Sequence, residues 1–304
     1  MHSRRRFIGT ALGAGLAVAL PGCQQMGTQA AGKRIIVDSQ VHIWTKVLPG
    51  MTAQLPDPMT LERLLPILDE GGADRAIIVP PSWQGLTNDY ALEAVRRYPR
   101  RFGIMGLIDL RNPKSASLLP TWKNQPGMMG VRLTLLGKDA NLLAEGTADW
   151  LWPAAEKAGI PLHMLAPEQG PQLARIAERH PGLTIILAHM GLAAAVVKAG
   201  RTASAVDQVV ALAKYPNVSM MLSATPAYAT EGYPYRDFNS HIRRLFEAYG
   251  PRRCYWGTDL TNSFTHVTYK QRITHFTEHL DFLSEADKDW VMGRAILDRL
   301  KWSL

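Results

Sequence analysis

A small set of side chains in this sequence is of types that do chemistry and falls within or at the ends of apolar runs. They are Gln40 and His42 in "VDSQVHIW", Arg132 in "MMGVRL", His163 in "IPLHML", His189 in "ILAHMG" and Asp259 in "WGTDL". Side chains two apart on a strand share a face, so Gln40 and His42 point the same way, as a His-x-His metal pair would. An amide then stands where the first imidazole would be. Three readings stay open: a metal site with one ligand replaced, a site that works without metal, and no site at all. An ionisable group placed where an apolar strand stops favours function, which applies to His189 and Asp259. His163 reads equally as a hydrogen-bonded core histidine, and Arg132 as the partner of a neighbouring carboxylate. Trp44 and the tyrosines of "YATEGYPYRDF" (Tyr228, Tyr233, Tyr235) could wall a pocket. His180, His241, His275 and His279 fall in helical patterns and read as surface residues.

Positioning such residues takes strands. Apolar β-type runs occur at 35–43, 75–80, 102–108, 128–136, 160–165, 183–189, 217–222 and 253–259, with helical patterns such as "TLERLLPILDEGG" and "DYALEAVRRYP" between them. Eight such runs alternating with helices predict an α/β chain folded as one (β/α)8 TIM barrel over 34–304. An open doubly wound sheet would offer a Gly-rich phosphate turn after its first strand, and none follows "IIVDSQVHI". "LSEADKDWVMGRAILDRLKW" predicts a closing helix that starts after Ser284. In a barrel the site is built at the carboxyl ends of the strands, where Gln40, His42, His189 and Asp259 fall.

The first 33 residues read differently. "SRRRFIG" sets Arg4, Arg5 and Arg6 ahead of an apolar, Gly/Ala-rich run, the layout of a twin-arginine export signal. "LPGC" is lipobox-like, with Cys23 as the residue to be lipidated or to mark a cleavage site nearby. A cytoplasmic protein with a basic apolar tail is the rival reading. The expected partners are the export machinery and a small anionic substrate, with membrane contact only through a lipid at Cys23 and a periplasmic location. The chain has two cysteines; with Cys23 at the processing site, Cys254 is left without a disulfide partner. The formal charge is +8, three units of it from Arg4, Arg5 and Arg6, and the remaining basic doublets are scattered over different elements. No basic stripe interleaved with aromatics points to nucleic acid.

In this order and at these spacings, "VDSQVHIW", "NDYALEAVRRYPRRFGIMGLIDL", "MMGVRL", "ILAHMG" and "WGTDL" resemble the amidohydrolase superfamily. The likeness is to its amidohydrolase-related group, which includes 2-pyrone-4,6-dicarboxylate lactonase and other lactone hydrolases. It runs from about Arg34 to Trp302. It implies a hydrolase that opens a lactone or similar cyclic ester. It puts His42 on the position of a metal ligand or substrate polariser, His189 on that of a site histidine, and Asp259 on that of the eighth-strand carboxylate that handles the water proton. Arg132 falls where the lactonases keep an arginine for an anionic substrate. Two positions depart from the pattern: Gln40 replaces the first histidine of the pair, and Leu165 stands where the fifth-strand ligand is expected, with His163 two residues earlier on the same face.

An amide oxygen is a poor zinc ligand. The resembling lactonases include metal-free members, so the favoured expectation needs no cofactor: Asp259 as general base, His42 with Gln40 or His189 donating to the oxyanion, and Arg132 holding the anionic group. Should a divalent metal such as Zn bind, His42, His163 and Asp259 are the expected ligands. Two alternatives remain: a metal-dependent decarboxylase of an aromatic or unsaturated acid, and a non-catalytic ligand-binding barrel with a vestigial site.

Overall fold

In a computed structural model, which describes residues 33–46, 57–265 and 267–303, each of the eight apolar runs contains a strand shorter than itself. These are β1 Val37–Val41, β2 Arg75–Ile78, β3 Phe102–Gly106, β4 Met128–Thr134, β5 Leu162–Leu165, β6 Ile185–Leu187, β7 Val218–Leu222 and β8 Cys254–Trp256. Neighbours in sequence are neighbours in the sheet, and all seven ladders from β1 to β8 are parallel. A parallel order running from one to eight with helices between is the (β/α)8 barrel. The residues read as an export signal and lipobox, Arg4, Arg5, Arg6 and Cys23, lie outside the described residues.

Strand alternation divides the apolar side chains. Val37, Ile77, Met105, Ile186, Met221 and Tyr255 fill the barrel's interior, while Ile78, Ile104, Val131, Leu162, Ile185 and Val218 face the surrounding helices. The C-terminal helix opens at Ser284 with a reciprocal capping box, passes through a π turn at Trp290–Arg294 and continues over Ala295–Leu300. Ala295, Ile296, Leu297 and Leu300 join the interior cluster. Gly293 lets this helix approach closely, since a Cβ there would stand 2.6 Å from the carbonyl oxygen of Ile35, just ahead of β1. The helix is thereby seated at the end where the strands begin, and their carboxyl ends are left for the site.

The β8–β1 seam is made by side chains. Ser39 Oγ donates to Trp256 O at 2.6 Å, and Asp38 accepts from Thr258 N at 2.8 Å and from Thr258 Oγ1 at 2.6 Å. One backbone bond completes it, from Asp259 N to Gln40 O at 3.1 Å. Gly257 permits the approach: a Cβ there would stand 2.5 Å from Ser39 Oγ.

Candidate active site

The site begins with an irregularity in β1. Its register against β2 runs Val37 to Arg75, Asp38 to Ala76, then Val41 to Ile78, three steps on one strand against two on the other. One extra residue is a β-bulge, which re-aims the side chains beyond it. Val37 accordingly sits in the interior cluster while Val41, four residues on, packs against the outer helices. Past the bulge Gln40 and His42 belong to the interior phase, and Asp38 turns outward to accept from Tyr269 Oη at 2.9 Å.

His42 and Gln40 meet Asp259 and His189. Nδ1 of His42 lies 2.7 Å from Val79 O, which can only accept, so Nδ1 carries a proton. Its Nε2 faces Asp259 Oδ1 at 3.1 Å. Gln40 Nε2 is 3.0 Å from His42 Nε2, 3.2 Å from His189 Nε2 and 3.2 Å from Asp259 Oδ1. His189 Nε2 is 3.6 Å from Asp259 Oδ2, and its Nδ1 is 2.9 Å from Ser223 Oγ. Asn262 Nδ2 donates to Asp259 Oδ2.

Neither His189 nor Asp259 sits on a strand. His189 follows β6 by two residues and Asp259 follows β8 by three, both in left-handed backbone, with φ 52° and 50°. For a residue with a side chain this conformation costs on the order of 1 kcal/mol, and it persists only where the surroundings over-determine it. Around Asp259 they do. Leu260 N donates to Thr258 Oγ1, and the buried guanidinium of Arg272 donates to Ser263 Oγ at 2.9 Å and Ser263 O at 2.7 Å.

Arg132 enters from β4, beside His163 on β5 in the ladder. Its Nη1 donates to Gln40 Oε1 at 3.3 Å and to His163 Nε2 at 3.1 Å, and its Nε to Thr134 Oγ1 at 3.1 Å. Gln40 thus joins the guanidinium at its oxygen end to the carboxylate at its nitrogen end.

Burial dominates the electrostatics. It lowers Arg132 to about 10, opposed by the Asp259 and Tyr228 charges, so the guanidinium remains a cation at neutral pH. Burial also brings His189 down to about 4, helped by the Arg132 and His42 charges, and takes His163 well below its ordinary value, helped by Arg132. Burial pushes the Asp259 carboxyl up. As acid protonates the His189 and His42 rings, their charge, the bond that His42 then donates and the bond from Asn262 outweigh it, holding the group below the usual carboxylate range. The site at neutral pH is therefore a carboxylate and a guanidinium separated by an amide and neutral imidazoles at 163 and 189. His42, whose side chain is 16% exposed, is its most open member.

Gln40, His42, Arg132, His163, His189 and Asp259 are therefore brought together. The aromatics take other places. Trp44 is buried with its ring edge against Trp83. Tyr233 Oη bonds Thr274 and His279, and Tyr235 packs on Tyr233 and His275, so both are held on the helix Tyr269–Glu278 and its end. Tyr228 is the tyrosine of that loop close enough to Asp259 and Arg132 for their charges to act on it, and its hydroxyl donates to Leu192 O at 3.1 Å. His275, expected on the surface, is buried and bonds Asn239 Oδ1 at 2.9 Å, because it shares the inward helix face of Arg272 and Phe276.

Asn262, Ser223, Thr258 and Arg272 were not found from the sequence. They carry no periodic signal, and only the folded loops place them. Asp38 was visible as the acid of the first strand; its buried carboxyl is raised to about 6 by burial against the bonds from Thr258, Gln40 and Tyr269.

A family model described as amidohydrolase matches residues 37–296. An L-fucono-1,5-lactonase of Burkholderia ambifaria is 25% identical over 244 residues, 73% of this chain and 79% of that protein. Among solved structures, an amidohydrolase from Burkholderia multivorans with bound zinc superposes with a TM-score of 0.74 at 19% identity, covering 88% of this chain and 99% of that one. A Pseudomonas putida protein named for 2-pyrone-4,6-dicarboxylic acid hydrolysis superposes with a TM-score of 0.69 at 20% identity, covering 89% and 99%.

A divalent metal does not fit this donor set. Among the described residues no group of three or more His, Cys, Asp or Glu is arranged to hold one. In the trio expected for it, His42, His163 and Asp259, the imidazole of His163 takes the Arg132 guanidinium as its partner, and a cation beside a guanidinium is repelled. The point on which His42, His189 and Asp259 converge holds the amide nitrogen of Gln40 at hydrogen-bond distance.

Proposed function

This chain belongs to the amidohydrolase family, and we propose that within it the barrel mouth opens a lactone, or a similar cyclic ester of an anionic small molecule, by attack of water. The observation that carries this is the buried carboxylate of Asp259 set among two imidazoles and a carboxamide, with a guanidinium on the far side of that carboxamide.

Asp259, ionised at working pH, takes the proton of a water as its oxygen adds to the ester carbonyl. The hydrogen bonds it already accepts make it a weak base, so the step draws on the stabilisation of the oxyanion that forms at the same time. Gln40 Nε2 has two hydrogens for three acceptors, which leaves one acceptor of the cluster open to a proton at any moment. His42 donates to the oxyanion from Nε2 only as an imidazolium, because its Nδ1 proton is committed to Val79 O. The ring C–O bond then breaks and Asp259 returns the proton to the leaving alkoxide, giving a hydroxy acid. A lactone suits this machinery because its carbonyl is electrophilic and its leaving oxygen stays tethered.

Arg132 supplies the charge that selects an anionic substrate; its planar fork suits a carboxylate. The similarity to an L-fucono-1,5-lactonase supports a sugar-acid lactone as the class to try first. The decarboxylase alternative would need a cation to polarise its substrate, and the donor set disfavours it. The twin-arginine reading of Arg4–Arg6 puts the activity outside the cytoplasm, which fractionation of expressing cells tests.

The direct test is a panel of 1,4- and 1,5-lactones of sugar acids and of unsaturated dicarboxylic acids, followed by base uptake at constant pH. Opening of at least one, lost in Asp259→Asn, is the expected result. A folded protein inert to the whole panel that binds one such compound tightly would favour the non-catalytic barrel.

A further inference from the structure

The Gln40 carboxamide stands between a buried cation and three acceptors. Its oxygen accepts from Arg132 Nη1 at 3.3 Å, and its nitrogen lies 3.0 to 3.2 Å from His42 Nε2, His189 Nε2 and Asp259 Oδ1. An amide nitrogen donates hydrogens and has no free electron pair for a metal. Turned over, the same side chain would aim Oε1 at the three convergent atoms and could ligate. That orientation would press its NH2 against the guanidinium and lose the bond from Nη1. Arg132 is buried and charged, so the orientation with oxygen toward it is the one the site selects.

We propose that Gln40, oriented by Arg132, takes the place of a metal ion: its NH2 is a fixed, neutral donor that ties His42, His189 and Asp259 together and keeps divalent cations out. At the point where His42, His189 and Asp259 converge, the barrier to metal then resides in one side chain. Gln40→His would add an imidazole on the face of His42 and direct lone pairs, in place of hydrogens, at the convergence point. Gln40→Glu would do so with a carboxylate of nearly unchanged shape. Either should turn the cluster into a zinc centre with nitrogen and oxygen ligands. The inference rests on the geometry of Gln40 and not on lactone chemistry.

The test is zinc titration by calorimetry of the purified full chain, with elemental analysis after dialysis against zinc and then buffer. Circular dichroism reports folding. Wild type is expected to retain a negligible fraction of an equivalent. Gln40→His or Gln40→Glu should hold about one equivalent, with affinity raised at least about a hundredfold. Two results would overturn the proposal: wild type holding about one tightly bound zinc that Gln40→Ala releases, which would make the carbonyl oxygen a ligand, or a folded Gln40→His and Gln40→Glu that both stay metal-free. The lactone panel is scored separately on metal-free wild type, so either answer here leaves the reaction class to that assay.

Discussion

Gln40 and Asp259 hold each other twice across the barrel seam: Asp259 N donates to Gln40 O at 3.1 Å, and Gln40 Nε2 donates to Asp259 Oδ1 at 3.2 Å. The backbone bond fixes where the eighth-strand loop starts, and the side-chain bond fixes how its carboxylate faces. The seam that closes the fold is thus also the axis of the site, and substitutions at the two ends of the pair should have separable effects.

Asp259→Asn keeps the shape and removes the proton acceptor. Turnover of the best lactone should fall by about a thousandfold, within the range general-base removal produces, while KM changes little. Steady-state kinetics by base uptake check this; a loss below tenfold would take the base role from Asp259.

Arg132→Lys keeps a charge and loses the planar fork that reaches both Gln40 and His163. KM for carboxylate-bearing lactones should rise by roughly tenfold or more, with neutral lactones of the same ring size less affected. Equal effects on charged and neutral lactones would mean that Arg132 only positions Gln40 and does not meet the substrate's anionic group.

Acid should loosen the fold before it protonates ordinary carboxylates. His189 and His275 are both lowered from 6.5 to about 4 and His163 also lies below 6.5, so the unfolded chain binds protons here that the folded chain refuses. Stability is then fully present above about 6.5 and is lost as pH falls toward 4. Asp38, raised to about 6, works the opposite way over about 6 to 3.8, but it is one group against three. Thermal melts at pH 7.5 and 5.0 should show a lower Tm at the acidic end; a higher one would mean that Asp38 outweighs the histidines.

Asp38→Asn would set an amide NH2 against donors in the cluster of Thr258 N, Thr258 Oγ1 and Tyr269 Oη. Leaving buried donors unmatched costs about 1–3 kcal/mol, a drop in Tm of roughly 5 °C for a chain of this size. Turnover should fall as well, because Thr258 precedes Asp259. An unchanged Tm would show that the seam is closed without this carboxylate.

Much of this molecule was legible in the sequence. The barrel followed from eight apolar runs separated by helical periods, since a strand buried on both faces has to be apolar along its length. The closing helix after Ser284 followed from its cap. His42, His189, Arg132 and Asp259 stood out because charge within or at the end of such a run is costly without a partner.

What the sequence alone did not decide is how those groups are paired. Strict alternation would give Asp38 the face of Gln40 and His42, and a one-residue bulge turns it away. His163 read as a metal ligand or a core histidine and is the partner of Arg132, because β4 and β5 register those two residues side by side. Tyr233, Tyr235 and His275 carried no sign of packing on one another across a loop and a helix. Residue types and strand periods are local properties set by burial, and the sequence displays them directly. The orientation of an amide between a guanidinium and a carboxylate depends on β1, β4 and the loop after β8, distant in the chain, and only the closed barrel brings them within hydrogen-bond distance.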